Sequence, residues 1–94
     1  MKENNTIKAY HGYVKKEDGE YLFYPKSKLY TWHISLEMRK YHIKQGDLVF
    51  IRNETGGIEM VYVEEVFREN IEETGKRYKT IISRPPRGNV KKAR

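Results

Sequence analysis

The residues of this chain best suited to chemistry are aromatic rings interleaved with cations in its first half. Nine of the 12 aromatic side chains lie within residues 10–50, among eight lysines and arginines between Lys8 and Lys44. Flat rings stack on nucleic-acid bases and cations neutralise phosphates, but the same residue types anchor protein interfaces. Because a small β domain also needs rings in its core, we expect about half of them to be buried. The residues predicted to form an exposed binding cluster are Tyr30, Trp32, His33, Arg39 and Lys40.

The eleven C-terminal residues, RPPRGNVKKAR, are a second candidate binding element. They carry five positive charges and no negative one, whereas residues 1–83 hold 14 Lys/Arg against 13 Asp/Glu. Two prolines exclude a central strand and predict an extended arm, which serves solubility, phosphate contact or protein docking. Since Val90 is its one sizeable apolar residue, we expect its removal to leave stability nearly unchanged. The cations available to a polyanion are Arg84, Arg87, Lys91, Lys92 and Arg94.

Acidic residues concentrate elsewhere, so the molecule is predicted to be dipolar. Residues 53–75 hold seven glutamates against one cation, Arg68. An acidic surface repels nucleic acid but can meet the basic channel of a nucleic-acid-handling protein. The predicted acidic surface consists of Glu64, Glu65, Glu69, Glu72 and Glu73.

Catalysis is not indicated by the pattern of titratable residues. The three histidines, His11, His33 and His42, have no carboxylates at matched spacing, and a metal site needs three or four converging ligands. The chain has no cysteine, which excludes disulfides and thiolate sites. The segment ETGGIEM lacks the Lys-Ser/Thr ending and the following helix of a phosphate loop. We therefore expect a non-enzymatic protein without metal or cofactor.

Strand patterns must position these residues. Residues 7–16 alternate in polarity, EDGE predicts a tight turn with Gly19 at positive φ, and YLFYP predicts a second strand closed by Pro25. QGDLVFIRN predicts a third strand entered through a Gly-Asp turn, and ETGG leads into a long strand over 58–69.

Two irregularities and the chain's last strand complete this prediction. The alternation of the long strand slips near Glu64 and Glu65, which predicts a β-bulge. Ser35 is a candidate N-cap for a single helical turn within 36–42. ETGK and RYKTIIS predict a further hairpin turn and a last strand, before the arm begins at Arg84. The fold class expected is mainly β, a small barrel of five to six antiparallel strands, with domain 1–83 and arm 84–94.

The segment QGDLVFIRNETGGIEMVYVEEVF resembles the central hairpin of small SH3-like barrels. The resemblance covers residues 45–83 best. The chain is also similar to uncharacterised small β-barrel proteins of Gram-positive bacteria, their phages and mobile elements. Those proteins carry an HGYV-like strand, here His11–Val14, and a later strand after Gly-Asp, here Gly46 and Asp47.

Two functions from different classes follow. The first is a basic β-barrel module that binds nucleic acid or a nucleoprotein. The second is a phage or mobile-element inhibitor, anti-CRISPR-like, that blocks a host defence protein through its acidic or aromatic surface. With neither a signal peptide nor an apolar run of about 18 residues, the sequence predicts a cytoplasmic protein with no membrane contact.

Overall fold

The computed structural model describes residues 3–70, 78–86, 88 and 90–93. Its elements are five strands and one helix, in the order β1 Thr6–Glu17, β2 Glu20–His33, α1 Leu36–Arg39, β3 Leu48–Arg52, β4 Ile58–Phe67 and β5 Val90–Lys92. The prediction of a mainly β fold with one helical turn is confirmed. Ser35 is the N-cap of α1, although its side chain makes no capping hydrogen bond. The four residues of α1, the one helix in the described ranges, are too few to cross a bilayer.

One five-stranded sheet contains all the strands, in the spatial order β3-β4-β1-β2-β5. The β1–β2, β1–β4 and β3–β4 pairs are antiparallel, and β5 pairs with β2 in parallel. Within the described residues the ladders leave β3 and β5 as edges and do not close into a barrel. The long hairpin of β1 and β2 turns at Asp18 and Gly19, which both have positive φ (49° and 81°) and so match the twist of the strands.

Pro25 does not end the second strand as predicted. β2 continues through it to His33, with Pro25 opposite Gly12 of β1. A proline is tolerated there because the β1–β2 register is irregular at this point. In addition, no described strand pairs with β2 at Pro25 on the edge that faces away from β1. Directly after Pro25, three residues of β2 (26–28) lie opposite the single residue His11.

The predicted bulge in the long strand is confirmed. Lys8 of β1 pairs with Glu65 and Ala9 pairs with Val63, so that Glu64 is the extra residue of β4. The bulge restores the inward direction of the apolar residues on both sides of it. Val61 and Val63, before the bulge, are fully buried.

The main hydrophobic core lies on one face of the sheet. Apolar residues of four strands meet there with those of α1 and the flanking loops; the buried members are Ile7, Ala9, Trp32, Ile34, Met38, Ile43, Val49, Ile51, Val61, Val63 and Ile81. Phe23 is also fully buried but is not part of this cluster. Its ring stacks on Tyr62, with ring centroids 5.6 Å apart.

A close backbone approach explains the glycine opposite Pro25. A Cβ atom at Gly12 would lie 2.2 Å from the carbonyl oxygen of Tyr24 and 2.8 Å from the ring of Phe23. Real contacts of this kind do not approach so closely, so the Phe23 ring occupies the place of a side chain at position 12.

The segment predicted as the last strand forms isolated bridges instead of a ladder over its described part, 78–83. His33 bridges to Thr80 and Phe50 bridges to Ser83. The segment changes partner from β2 to β3 within a few residues, and this prevents a continuous pairing with either strand. The predicted ETGK turn lies outside the described residues.

The C-terminal arm contributes a strand that the sequence did not predict. β5 lies along the edge of β2, with Val90 opposite Tyr21 and Lys92 opposite Phe23. The backbone N–H of Ala93 donates to the Phe23 carbonyl over 2.7 Å. Part of the arm is therefore held on the sheet.

Candidate nucleic-acid interface

An open cleft of about 910 Å³ lies between β2 and the end of β3. On the side of β2 that faces away from β1, β5 pairs only with Tyr21–Phe23 and a bridge joins His33 to Thr80. Between these points the edge of β2 has no ladder partner among the described residues, and it forms one wall of the cleft. The lining residues are His11, Lys26, Ser27, Lys28, Tyr30, Thr31, Trp32, Ile51, Arg52, Asn53, Glu54, Thr55, Glu59, Tyr78 and Lys79.

Three aromatic side chains meet in this cleft. The His11 ring makes edge contacts with Tyr30 and Trp32, at centroid distances of 5.1 and 5.3 Å. Tyr30 and Trp32 lie 6.1 Å apart. The structure thus brings together two of the predicted cluster residues with a histidine that the prediction did not include.

The prediction that Trp32 is exposed is wrong. Its side chain is 5% exposed and belongs to the core cluster, whereas Tyr30 is 43% exposed. Trp32 pairs across the strands with Ile7, which is fully buried, so the β1–β2 register directs it toward the core. Trp32 forms the floor of the cleft, and Tyr30 is the ring that a ligand can reach.

Four cations line the cleft together with the exposed tyrosine. The Lys28 ammonium lies over the Tyr30 ring, 5.4 Å from its centroid. Lys26, from the same irregular stretch of β2, and Arg52 and Lys79, from other segments, are also lining residues. Arg52 is positioned by a hydrogen bond of 2.8 Å from its guanidinium to the Gly56 carbonyl in the β3–β4 turn. The cleft therefore combines an exposed ring with four cations from three parts of the chain.

Two carboxylates also line the cleft. Glu59 lies 3.7 Å from His11, measured from its Oε1 to Nδ1 of the imidazole. Glu54 is exposed in the β3–β4 turn. Among the described lining residues, four cations outnumber two carboxylates, and this positive balance favours an anion.

Lys40 lies in a separate patch around Tyr41, and Arg39 lies outside the cleft as well. The Lys40 ammonium and the Arg84 guanidinium both lie over the Tyr41 ring, at 5.3 and 5.6 Å from its centroid. Arg39 donates from Nε to the Ile34 carbonyl over 3.1 Å. None of these residues lines the cleft, so the predicted cluster divides between two places.

His33 is half-buried, and its Nδ1 has no hydrogen-bond partner within the described part of the chain. Burial lowers the pKa of its imidazole below the usual value, and the nearby Arg39 guanidinium acts in the same direction. A hydrogen bond to the Asn5 backbone opposes them. The lowered pKa favours the neutral form of the His33 imidazole, so this side chain is not suited to pair with a phosphate as a cation.

This lowered pKa makes stability depend on pH. The unfolded chain binds a proton at His33 at a higher pH than the folded chain, so unfolding becomes easier as the pH falls through about 6.5. We expect His33→Gln to lose part of the decline in unfolding free energy between about pH 7 and pH 5. Denaturant unfolding at several pH values measures it. An unchanged profile in His33→Gln would contradict the assignment.

Two of the arm's cations are already paired within the molecule. The Lys92 ammonium lies 3.1 Å from both carboxylate oxygens of Glu64, and Lys91 lies 4.0 Å from Glu20. Arg84 lies over Tyr41, as described above. Arg87 and Arg94 lie outside the described residues. The sequence predicts five arm cations that are available to a polyanion. The structure instead pairs two of them, Lys91 and Lys92, with carboxylates of the same molecule.

Part of the predicted acidic surface is likewise paired with other side chains of the same molecule. Glu64 binds Lys92, and Glu69 accepts a hydrogen bond of 3.2 Å from the Tyr78 hydroxyl. Glu65 is exposed. Glu72 and Glu73 lie outside the described residues. The described members do not form one continuous unpaired acidic face.

The site residues missed by the sequence analysis lie on both walls of the cleft. Lys26 and Lys28 stand in the aromatic and basic stretch, but nothing local indicated the irregular register that brings them beside Tyr30. Arg52 and Lys79 come from distant segments, and only the tertiary fold places them there. In the described ranges, no group of three or more His, Asp or Glu side chains is arranged to hold a metal ion.

Comparison with known protein families gives a match over most of the chain. The family described as "Family of unknown function (DUF5839)" matches residues 2–85. Neither a curated protein nor a solved structure matches the chain.

Proposed function

The chain belongs to the DUF5839 family of unknown function, and from that premise we propose that it is a non-enzymatic module that binds single-stranded nucleic acid. The observation that carries the proposal is the exposed Tyr30 ring among the four cations of the cleft. Single-strand binding needs a ring on which a base can stack and cations that follow the backbone. The cleft offers both within one surface.

The shape of the cleft favours single-stranded nucleic acid over a duplex as the ligand. It is an open furrow between two sheet edges, and its ring lies inside the furrow rather than on a protruding element. A base must leave the helical stack to reach such a ring, which a single strand permits at little cost. Trp32 at the floor and His11 beside it hold Tyr30 in place through their ring contacts.

We further propose that the fold is a variant of the SH3-like barrel indicated by the sequence. Support comes from the segment 79–83, which bonds to both β2 and β3. The His33 N–H donates to the Lys79 carbonyl over 2.9 Å, and the Phe50 N–H donates to the Ser83 carbonyl over 2.8 Å. A segment that joins the two strands in this way is what closure of a barrel requires.

The alternative, a mobile-element inhibitor of a host defence protein, has less support. This alternative was based on an acidic or an aromatic surface, and two residues of the acidic one are paired within the molecule, Glu64 with Lys92 and Glu69 with Tyr78. The aromatic cleft could still meet a protein, and this outcome is distinguished by the experiment below.

Two matched tyrosines on β2 test the proposal. Tyr30 and Tyr21 are similarly exposed, at 43% and 49%, and each carries a lysine over its ring, Lys28 at 5.4 Å and Lys16 at 5.6 Å. Only Tyr30 lies in the cleft. We expect Tyr30→Ala to weaken binding of a labelled oligothymidylate by about 1–3 kcal/mol, the usual contribution of one stacked base, and Tyr21→Ala to leave it unchanged.

Fluorescence anisotropy at low salt, with single- and double-stranded probes, gives the affinities. Equal effects of the two substitutions would contradict a site in the cleft. If no probe binds the unaltered chain more tightly than about 0.1 mM, nucleic acid is excluded as the ligand. The inhibitor hypothesis would then be the one to pursue.

A further inference from the structure

A second site, separate from the cleft, holds an ammonium group. The Lys92 Nζ lies 3.1 Å from each carboxylate oxygen of Glu64 and over two tyrosine rings, 5.4 Å from the centroid of Tyr10 and 5.8 Å from that of Tyr62. The hydrogen bond to Glu64 raises the pKa of Lys92. Two aromatic rings and a carboxylate form the kind of cage in which proteins bind ammonium groups. We call Tyr10, Tyr62 and Glu64 the ammonium cage.

The sheet itself builds this cage from neighbouring strands. Tyr10 of β1 and Tyr62 of β4 are direct cross-strand partners. Glu64 follows two residues after Tyr62 and is the extra residue of the β4 bulge. A bulge re-aims the side chain that it carries. The bulge thus places a carboxylate near the two rings.

Backbone pairing completes the site beside the cage. β5 adds to the edge of β2 at Tyr21–Phe23, and the Ala93 N–H donates to the Phe23 carbonyl over 2.7 Å. The preceding lysine, Lys91, lies 4.0 Å from Glu20. An added strand gains affinity from its main chain and specificity from side chains in fixed places. Here the specificity is for positive side chains, because both acceptors are carboxylates.

The arm's hold on this site is short and exposed. β5 has three residues, and the Lys91 and Lys92 side chains keep 74% and 36% of their surface in solvent. Elements with few buried contacts are those that open most readily in a folded protein. The site therefore becomes vacant more easily than any interior part of the sheet, and a second segment of the same chemistry can compete for it.

We propose that the β2 edge at Tyr21–Phe23 and the ammonium cage together form a binding site for a lysine-bearing extended peptide of a partner protein, which the chain's own arm fills as an internal ligand. The charge of the site favours this occupant: Glu20 and Glu64 pair with two successive lysines. Tyr10, Tyr62 and Glu64 do not line the cleft. The proposal is therefore independent of the proposed nucleic-acid binding.

Reversing the charge of the arm in the full chain tests the site. In K92E the arm's glutamate faces Glu64, so we expect the arm to leave the sheet and the Ala93 amide to exchange its hydrogen faster than in the unaltered chain. A labelled peptide of the sequence GNVKKAR should then bind K92E at least about tenfold more tightly than it binds the unaltered chain, where the tethered arm competes. A peptide with glutamate in place of the second lysine should not bind K92E.

A charge exchange provides the matched control. E64K should release the arm as K92E does, and the double variant E64K/K92E should restore slow exchange at Ala93. Faster exchange without peptide binding would overturn the proposal, as would unchanged exchange in K92E or equal binding of the two peptides. A concentration-dependent dimer of the unaltered chain that disappears in E64K would assign the site to the arm of a second copy, and so overturn a partner protein as the ligand.

Discussion

Trp32→Ala is expected to destabilise the fold by about 3–5 kcal/mol, the largest stability effect that we expect from a single substitution. The side chain is 5% exposed and lies in the core cluster, opposite the fully buried Ile7. Its removal leaves a cavity under the cleft. The surrounding strands cannot close this cavity without breaking the β1–β2 ladder. For a domain of this size, such a loss removes a large share of the total stability.

Urea unfolding followed by far-ultraviolet circular dichroism measures this effect. Tryptophan fluorescence does not serve, because the chain has one tryptophan. Tyr30→Ala is the matched control: its ring also contacts His11 but is 43% exposed and lies outside the core cluster, and we expect a loss below about 1 kcal/mol. A Trp32→Ala variant as stable as Tyr30→Ala would show that Trp32 is not a core residue.

Reversing two cleft cations is expected to have the largest effect on binding. Lys28→Glu with Arg52→Glu removes two of the four described cations that line the cleft and places two carboxylates in it. We expect affinity for a single-stranded oligonucleotide at about 50 mM salt to fall by about 100-fold. The slope of log affinity against log salt should flatten by about two units, since each lost phosphate contact releases one counterion fewer.

The control for this double reversal carries the same change in net charge. Lys15→Glu with Lys16→Glu alters the β1–β2 hairpin near its turn, away from the cleft-lining residues. Affinity should then fall only as much as the overall charge of the molecule dictates. Equal losses in the two double variants would mean that the cleft has no particular role.

Local patterns predicted much of the fold, because the signals concerned are themselves local. The hairpin turn at Asp18 and Gly19 follows from residues that tolerate positive φ. The bulge at Glu64 follows from a slip in the alternation of apolar residues, which must face one core. The single turn of α1 after Ser35 follows from a cap residue and too few helical positions to continue.

The misplaced residues depended on pairings that leave no local trace. The aromatic and basic pattern predicts an exposed Trp32, and only its pairing with Ile7 across β1 and β2 directs it inward. β5 is a strand of three residues that pairs in parallel with β2. It is held by an ion pair between Lys92 and Glu64, which are far apart in the chain. The cleft itself combines β2, the end of β3 and residues 78–79. The sequence therefore shows these cations, but it does not predict that they line one cleft together with Tyr30.

The measurement closest to the central claim locates the ligand on the surface. The isotope-labelled chain is titrated with a short oligothymidylate, and the backbone amide chemical shifts are followed residue by residue. We expect the largest changes at Tyr30, Thr31, Arg52 and Lys79, and none at Tyr13 or Lys15 near the hairpin turn. Changes confined to the arm, to the Tyr41 patch or to the hairpin, with the cleft amides unmoved at saturation, would contradict a nucleic-acid site in the cleft.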